Sequence, residues 1–325
     1  MLLNRSFAAG LLAAGLAFAG PASAETWDMP TPYAEGNFHT RNIVAFAEEV
    51  KAATGGALEI TVHPNGSLVK HPEIKNAVRS GQVQLGEFLL SLIANENPVF
   101  GADSVPFVAT GYDAAWKLWQ ASREQVAALL AEQDLVLLYA VAWPPQGIYA
   151  NKEIGRIEDM AGLKFRTYNA ATERLAQLAG AVPTQIEAAD IAQAFATGRV
   201  EAMITSSSTG VNSKVWDFLT FYYDTEAWLP KNVVVMNKAV FDGLEPAQRD
   251  AVLAAAAAAE ARGWAMSQEE NATQKKTLAD NGVQVLPPSD ALRSGLRAIG
   301  TTMSDEWKEQ AGGPGQMILD AYGKM

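Results

Sequence analysis

The chain has 325 residues, with 36 acidic against 25 basic side chains, a formal charge of -11 and no cysteine. That acidity disfavours binding to a phosphate backbone, so no nucleic-acid partner is expected. The missing thiols exclude disulfides, thiol catalysis, iron–sulfur clusters and cysteine zinc sites.

The N-terminus runs Met1-Leu2-Leu3-Asn4-Arg5, an apolar stretch from Phe7 to Phe18, and Ala22-Ser23-Ala24. A short positive region, an apolar core and small residues at the end read as a secretory leader cleaved after Ala24. The alternative is an uncleaved anchor, for which the apolar run is short. The mature chain is then expected to be exported and soluble, with enough residues for one large or two ordinary lobes.

Trp27 to Pro32 reads as a first strand, leaving through the loop from Tyr33 to His39. A helix follows with Ile43, Phe46, Ala47 and Val50 on one face and Gly55-Gly56 as its stop. Leu58, Ile60 and Val62 alternate as the second strand. Next, a helix carrying Ile74, Ala77 and Val78 stops at Gly81 and passes at once into the strand Gln82 to Phe88. The same phrase recurs later: Ile191, Ala194 and Phe195, a stop at Gly198, then the strand Arg199 to Thr205. One helix–glycine–strand unit in each half predicts two similar α/β lobes. The strand ends at Glu87-Phe88 and Thr205-Ser206-Ser207 then face a common crevice, a favoured place for ligands. Against this, Glu87 could be a surface or ion-paired carboxylate and the serines a polar loop tip.

Leu135 to Val141 is a buried strand, broken at Trp143-Pro144-Pro145-Gln146-Gly147, which reads as a hinge crossing. Leu163, Phe165 and Thr167 alternate with Lys164, Arg166 and Tyr168 in strand periodicity. Asn169 is a helix N-cap, and Gly180 stops the helix it starts. Arg166 therefore sits near the carboxyl end of a strand that feeds a helix, where ligands settle in open α/β sheets. Its planar fork of donors matches a carboxylate; the alternative is a solvated or internally paired arginine. From Glu245 to about Asn281 the chain reads as one long helix, roughly 50 Å at 1.5 Å per residue. It is able to lie across both lobes unless Gly263 breaks it into two. A last helix is capped at Pro287-Pro288-Ser289-Asp290, and the Gly-rich tail is expected to be loosely held until Met317 to Tyr322.

Several of these phrases, in this order, resemble the solute-binding subunits of tripartite ATP-independent periplasmic (TRAP) transporters, the DctP-like family. They are Phe38-His39, Thr54-Gly55-Gly56-Ala57-Leu58, Val78-Arg79-Ser80-Gly81, Met160 through Arg166, and Gln193 through Gly198. The resemblance implies an α/β, two-lobed periplasmic-binding-protein fold, with mixed sheets, a hinge and a long helix spanning both lobes. Residues 1-24 would be the leader, 25-144 plus about 231-265 lobe I, and 145-230 plus about 266-325 lobe II. It further implies a receptor, not an enzyme, that captures a small organic anion and delivers it to an ion-gradient-driven permease. The family's substrate-clamping arginine falls on Arg166. Trp143, Phe88, Tyr33 and Trp228 would supply apolar walls favouring a ring-like ligand body. Glu87, if it faces the cleft, would admit an amine-bearing ligand. Thr205, Ser206, Ser207, Asn37 and Asn232 complete the candidate set.

The chain departs from that family at two places. Hydroxyls at Thr205 to Ser207 replace an asparagine common in it, and Gln146-Gly147-Ile148-Tyr149 lacks a second cleft arginine. No metal or cofactor is expected, and the protein is expected to act as a monomer in the periplasm. Two rivals remain: a receptor serving a sensor or another transporter, and an exported hydrolase. For the hydrolase, only His39, His63 and His71 offer imidazole bases. None has zinc-pair spacing, and nucleophile-elbow and dinucleotide motifs are lacking.

Overall fold

A computed structural model describes residues 24–325; the expected leader core, Phe7 to Phe18, lies outside the described residues. The chain opens with β1 (Glu25–Pro30), α1 (Phe38–Ala53), β2 (Leu58–His63), α2 (Ile74–Arg79) and β3 (Leu85–Leu89). It continues through α3 (Tyr112–Ala131), β4 (Leu135–Ala142), β5 (Gln146–Ala150), β6 (Lys164–Thr167) and α4 (Ala170–Leu178). Then come β7 (Val182–Gln185), α5 (Ile191–Ala196), β8 (Ala202–Ser206), α6 (Ser207–Asn212) and β9 (Phe221–Tyr223). It closes with β10 (Lys231–Asn237), α7 (Lys238–Asp242), α8 (Pro246–Asp280), β11 (Gln284–Leu286) and α9 (Asp290–Tyr322).

The described strands form three sheets on two lobes, of which the largest is mixed. In one lobe β1 pairs with β2 in parallel, and β10 lies antiparallel between β3 and β4. In the other, six strands run in the order β11-β9-β5-β8-β6-β7. The chain crosses from β4 to β5 through Trp143-Pro144-Pro145 and returns from β9 into β10. Two prolines suit the first crossing, because neither can donate to a ladder.

The repeated helix–glycine–strand phrase is the same structure twice. Gly81 and Gly198 both sit in the left-handed region, at φ +75° and +65°. The amide of Gln82 reaches Ala77 O at 3.0 Å, and that of Arg199 reaches Ala194 O at 2.9 Å. This is the glycine-capped helix end that frees the chain to enter a strand at once.

The long helix α8 is one uninterrupted element of 35 residues. Its first half packs on α1 and β4, its second half on α6 and β11. Buried Glu260 takes the Trp119 indole N–H at 3.1 Å and the Ala140 amide at 3.0 Å, and its other oxygen pairs with Arg123. Further along, Lys275 pairs with Asp224 and Leu278 enters the core of the second lobe. Gly263 does not break the helix but lets it approach its neighbours. A Cβ there would stand 2.4 Å from Val141 Cγ2 and 2.8 Å from Asn42 Nδ2.

The tail is more firmly held than expected. α9 bends at Gly312 (φ 54°, ψ -135°), and Trp307, Ala311 and Ile318 are buried beyond or beside the bend. Ile318 and Tyr322 pack with α3 in the core of the first lobe. Periodicity broken by glycine and proline hid a helix that resumes after one non-helical residue.

Gly263→Val is expected to lower stability by about 1–3 kcal/mol, since overpacking against Val141 outweighs the better helix propensity. Urea unfolding checks this; an unchanged midpoint would mean that the helix does not press on β4.

Candidate functional site

β6 alternates as its sequence requires, but its second face looks into a cavity rather than solvent. Phe165 and Thr167 are buried on one side; Arg166 and Tyr168, two residues apart on the other, line an interlobe cavity. Asn169 then caps α4, accepting the Thr172 amide at 2.9 Å. Its Nδ2 reaches across the cleft to Ser91 Oγ at 2.8 Å.

Arg166 is 3% exposed. Its Nε donates to Ile186 O at 2.9 Å, and its guanidinium carbon lies 4.9 Å from the Tyr168 ring centroid. Among the described residues no carboxylate oxygen approaches it within 4.0 Å, and its two Nη groups make no hydrogen bond to protein. Burial pulls its pKa down to about 10, offset only in part by Tyr168, Glu187 and Tyr33. A desolvated cation without a counter-ion, with two donors turned to a cavity, is a grip for an anion.

The facing wall belongs to the first lobe. Tyr33 and Trp143 meet edge to face, with centroids 4.9 Å apart. Asn232 Oδ1 fixes both, accepting from Trp143 Nε1 at 2.9 Å and from the Tyr33 hydroxyl at 3.3 Å. Behind them His39 lies 4.3 Å from the Trp143 ring and donates Nδ1 toward Glu87 Oε1 at 3.1 Å. Glu87 also accepts the Thr31 hydroxyl at 2.6 Å. Burial alone would raise the Glu87 pKa, but the contacts with His39 and Thr31 outweigh it and hold the carboxylate below its ordinary range.

Of the candidate residues, Arg166, Trp143, Tyr33, Thr205 and Ser206 line the cavity. The others lie elsewhere. Glu87 does not face the cleft; it is buried beneath the aromatic wall as the partner of His39. Phe88 points the opposite way along β3, into the packed core. Asn37 caps α1, accepting the His39 amide at 2.9 Å, and lines the outer mouth of the cleft instead. Ser207 starts α6 fully buried. Trp228 is a core residue whose carbonyl accepts the Gln146 amide at 3.0 Å. Asn232 tethers the wall without forming it.

Five polar cavity residues escaped the sequence reading: Tyr168, Gln146, His71, Glu187 and Thr209. Tyr168 had a signal, being two residues beyond Arg166 on one strand face. Gln146, at the hinge crossing, accepts the Tyr168 hydroxyl at 3.0 Å and donates to Pro144 O at 2.9 Å. His71 and Glu187 had none, because 116 positions separate them along the chain and they meet at 3.2 Å across the cleft.

The space open to the centre of a water molecule is about 40 Å³.

Residues 32–310 match the bacterial extracellular solute-binding proteins, family 7, or DctP family. The chain belongs to that family. Among solved structures of DctP-family proteins, it is 48% identical to DctP6 of Bordetella pertussis, an extracytoplasmic solute receptor binding pyroglutamic acid. That likeness covers 93% of this chain and 100% of that one, with a TM-score of 0.91. A marine-metagenome TRAP solute-binding protein specific for pyroglutamate is 46% identical, with 93% and 99% covered and a TM-score of 0.92. The C4-dicarboxylate-binding periplasmic protein DctP of Rhodobacter capsulatus is 25% identical over 276 residues, 82% of this chain and 81% of that protein. This chain is thus an extracellular solute-binding protein of the DctP family, with an arginine-bearing cavity between its two lobes.

Asn232→Ala removes the acceptor shared by two buried donors, each costing about 1–3 kcal/mol when unpaired. The receptor is expected to lose on the order of 2 kcal/mol of stability and to bind its ligand more weakly as Trp143 and Tyr33 loosen. Denaturant unfolding and titration calorimetry check it; unchanged values for both would refute the tether.

Proposed function

We propose that this receptor captures pyroglutamate in the periplasm and delivers it to a TRAP permease. The observation that carries the reading is Arg166: buried, fixed at Nε by Ile186 O, and without a carboxylate partner among the described residues. A ligand carboxylate supplies the two parallel charge-assisted bonds that the guanidinium is shaped for, and relieves the cost of its burial. Three features support a small ring acid over a long one. The cavity is compact, its walls include Tyr33, Trp143, Leu89 and Pro230, and its hydroxyls at Thr205, Ser206 and Thr209 offer donors for a ring carbonyl. The pyroglutamate-binding relatives, at 46% and 48% identity, favour the same ligand.

Closure follows from where the contacts lie. Arg166 stands on the second lobe and Tyr33 with Trp143 on the first, so a ligand touching both stabilises only the closed arrangement. We assign 25-144 plus about 231-265 to one moving body and 145-230 plus about 266-325 to the other. The last turns of α9 travel with the first, where Ile318 and Tyr322 pack. The protein works as an exported monomer, its leader removed after Ala24, binding without turnover.

In a thermal-shift screen, L-pyroglutamate at a hundred times its dissociation constant is expected to add about 2.7 kcal/mol to stability. Stabilisation by another acid alone would overturn the choice of ligand. Arg166→Ala is expected to weaken binding at least about 100-fold while the circular dichroism spectrum stays unchanged. Undiminished affinity would overturn the clamp.

Affinity should also hold steady between about pH 7 and 9 and then fall as the pH passes about 10, where Arg166 of the empty receptor loses its proton. The sign follows from which form binds, because only the protonated guanidinium grips a carboxylate. Fluorescence titration over that range is the check, and an affinity that rises with pH would contradict it.

A further inference from the structure

The cavity carries two opposite charges that do not meet. Arg166 and Glu187 both line it, yet no nitrogen–oxygen approach of 4.0 Å or less joins them. Their spacing is fixed by backbone. Ile186, the residue before Glu187, accepts Arg166 Nε on its carbonyl at 2.9 Å, and its own amide donates to Thr167 O at 3.0 Å. The guanidinium and the carboxylate are therefore held apart by one rigid residue step.

His71 holds the acid from the opposite lobe. Its Nε2 accepts the Leu89 amide at 3.1 Å, so that nitrogen carries no proton. The proton is then on Nδ1, which donates to Glu187 Oε2 at 3.2 Å. His71 is thus neutral in this arrangement, since a second ring proton would confront the Leu89 N–H. Glu187 is 31% exposed at the edge of the cavity, so its carboxylate has an open side.

We propose that Glu187, oriented across the cleft by His71, is the acceptor for an N–H group adjacent to the ligand's carboxylate and the residue that turns a second carboxylate away. The inference rests on capture by Arg166 and deepens the ligand reading above. In a lactam acid such as pyroglutamate, the ring N–H and the carboxylate share one carbon. A ligand gripped by its carboxylate at Arg166 presents that N–H to an acceptor placed beside the guanidinium, as Glu187 is. Counting Arg166, Glu187 and neutral His71, the charge on the lining is zero, so a monoanion leaves one unpaired charge and a dianion two. Burial pushes the Glu187 pKa up, but His71 first and the field of Arg166 after it outweigh that and hold the carboxyl below its ordinary range. The chemistry selected is an acid with an adjoining N–H, either a lactam or a cyclic amino acid.

The test is titration calorimetry with four compounds: L-pyroglutamate, L-proline, glutarate, and the lactone in which ring oxygen replaces the pyroglutamate N–H. The wild-type receptor is expected to prefer lactam over lactone by at least about 30-fold and to reject glutarate. Glu187→Gln should narrow the lactam–lactone ratio to less than about fivefold and improve glutarate relative to lactam. His71→Leu should blur the ratio in the same direction. His71→Asn, which keeps a donor near the place of Nδ1, should restore it.

Wild-type protein that binds lactone or glutarate as tightly as lactam overturns the proposal, as does a ratio unmoved in Glu187→Gln that retains its melting temperature. Preference for proline over both lactam and lactone, abolished in Glu187→Gln, would support Glu187 while refuting pyroglutamate as the ligand.

Discussion

An isolated guanidinium in a closed cleft is the constraint around which this receptor is arranged. Burying a charge without a partner is costly, and the protein reduces that cost without neutralising the charge. A backbone carbonyl takes Nε, and an aromatic face lies near the cation at 4.9 Å. Neither contact uses the bidentate edge of the fork. On the proposed reading the carboxylate that ends the penalty is the ligand's, so affinity and lobe closure would draw on one source. A structural carboxylate within reach would have made the empty state comfortable and the ligand superfluous.

The facing wall solves a different problem, that of holding large side chains still. Tyr33 comes from the loop after β1 and Trp143 from the hinge crossing, so nothing local fixes one relative to the other. Asn232 does so from β10, the strand that has just returned from the second lobe. A single carbonyl oxygen therefore links the entrance loop, the outward crossing and the return crossing. Beneath it, the Thr31–Glu87–His39 chain of contacts provides a polar floor that would be unstable if left half satisfied.

The parts legible in the sequence are those written in local patterns. Strand periodicity around Phe165, the Asn169 cap and the glycine stops at Gly81 and Gly198 each depend on a few consecutive residues, and each took its expected form. Arg166 could be placed at a strand's end because strand and cap adjoin it. Glu87 was misplaced for an instructive reason. Its alternation along β3 is right, but this strand is buried on both faces, and period two does not say whether a face meets a ligand or a packed layer. The acid that does line the cavity, Glu187, follows β7, a four-residue strand with no strong pattern. Its partner His71 sits in a short turn of the other lobe. Contacts made only by folding leave no local trace.

Gln146 and Gly147 connect the hinge to the question of what charge the cavity can accept. At the crossing this chain offers a neutral amide already committed to Tyr168 and Pro144. Gly147 leaves no room for change nearby, because a Cβ there would stand 2.4 Å from the Tyr222 ring. The crossing strand is thus packed to the backbone against β9, and its first residue is used to orient an aromatic rather than to carry charge. A cavity built in this way has one strong anion grip, at the end of β6, with its other polar groups neutral or negative. On the proposed ligand reading, a dianion would need a second cation, which neither the amide at Gln146 nor the close-packed Gly147 supplies.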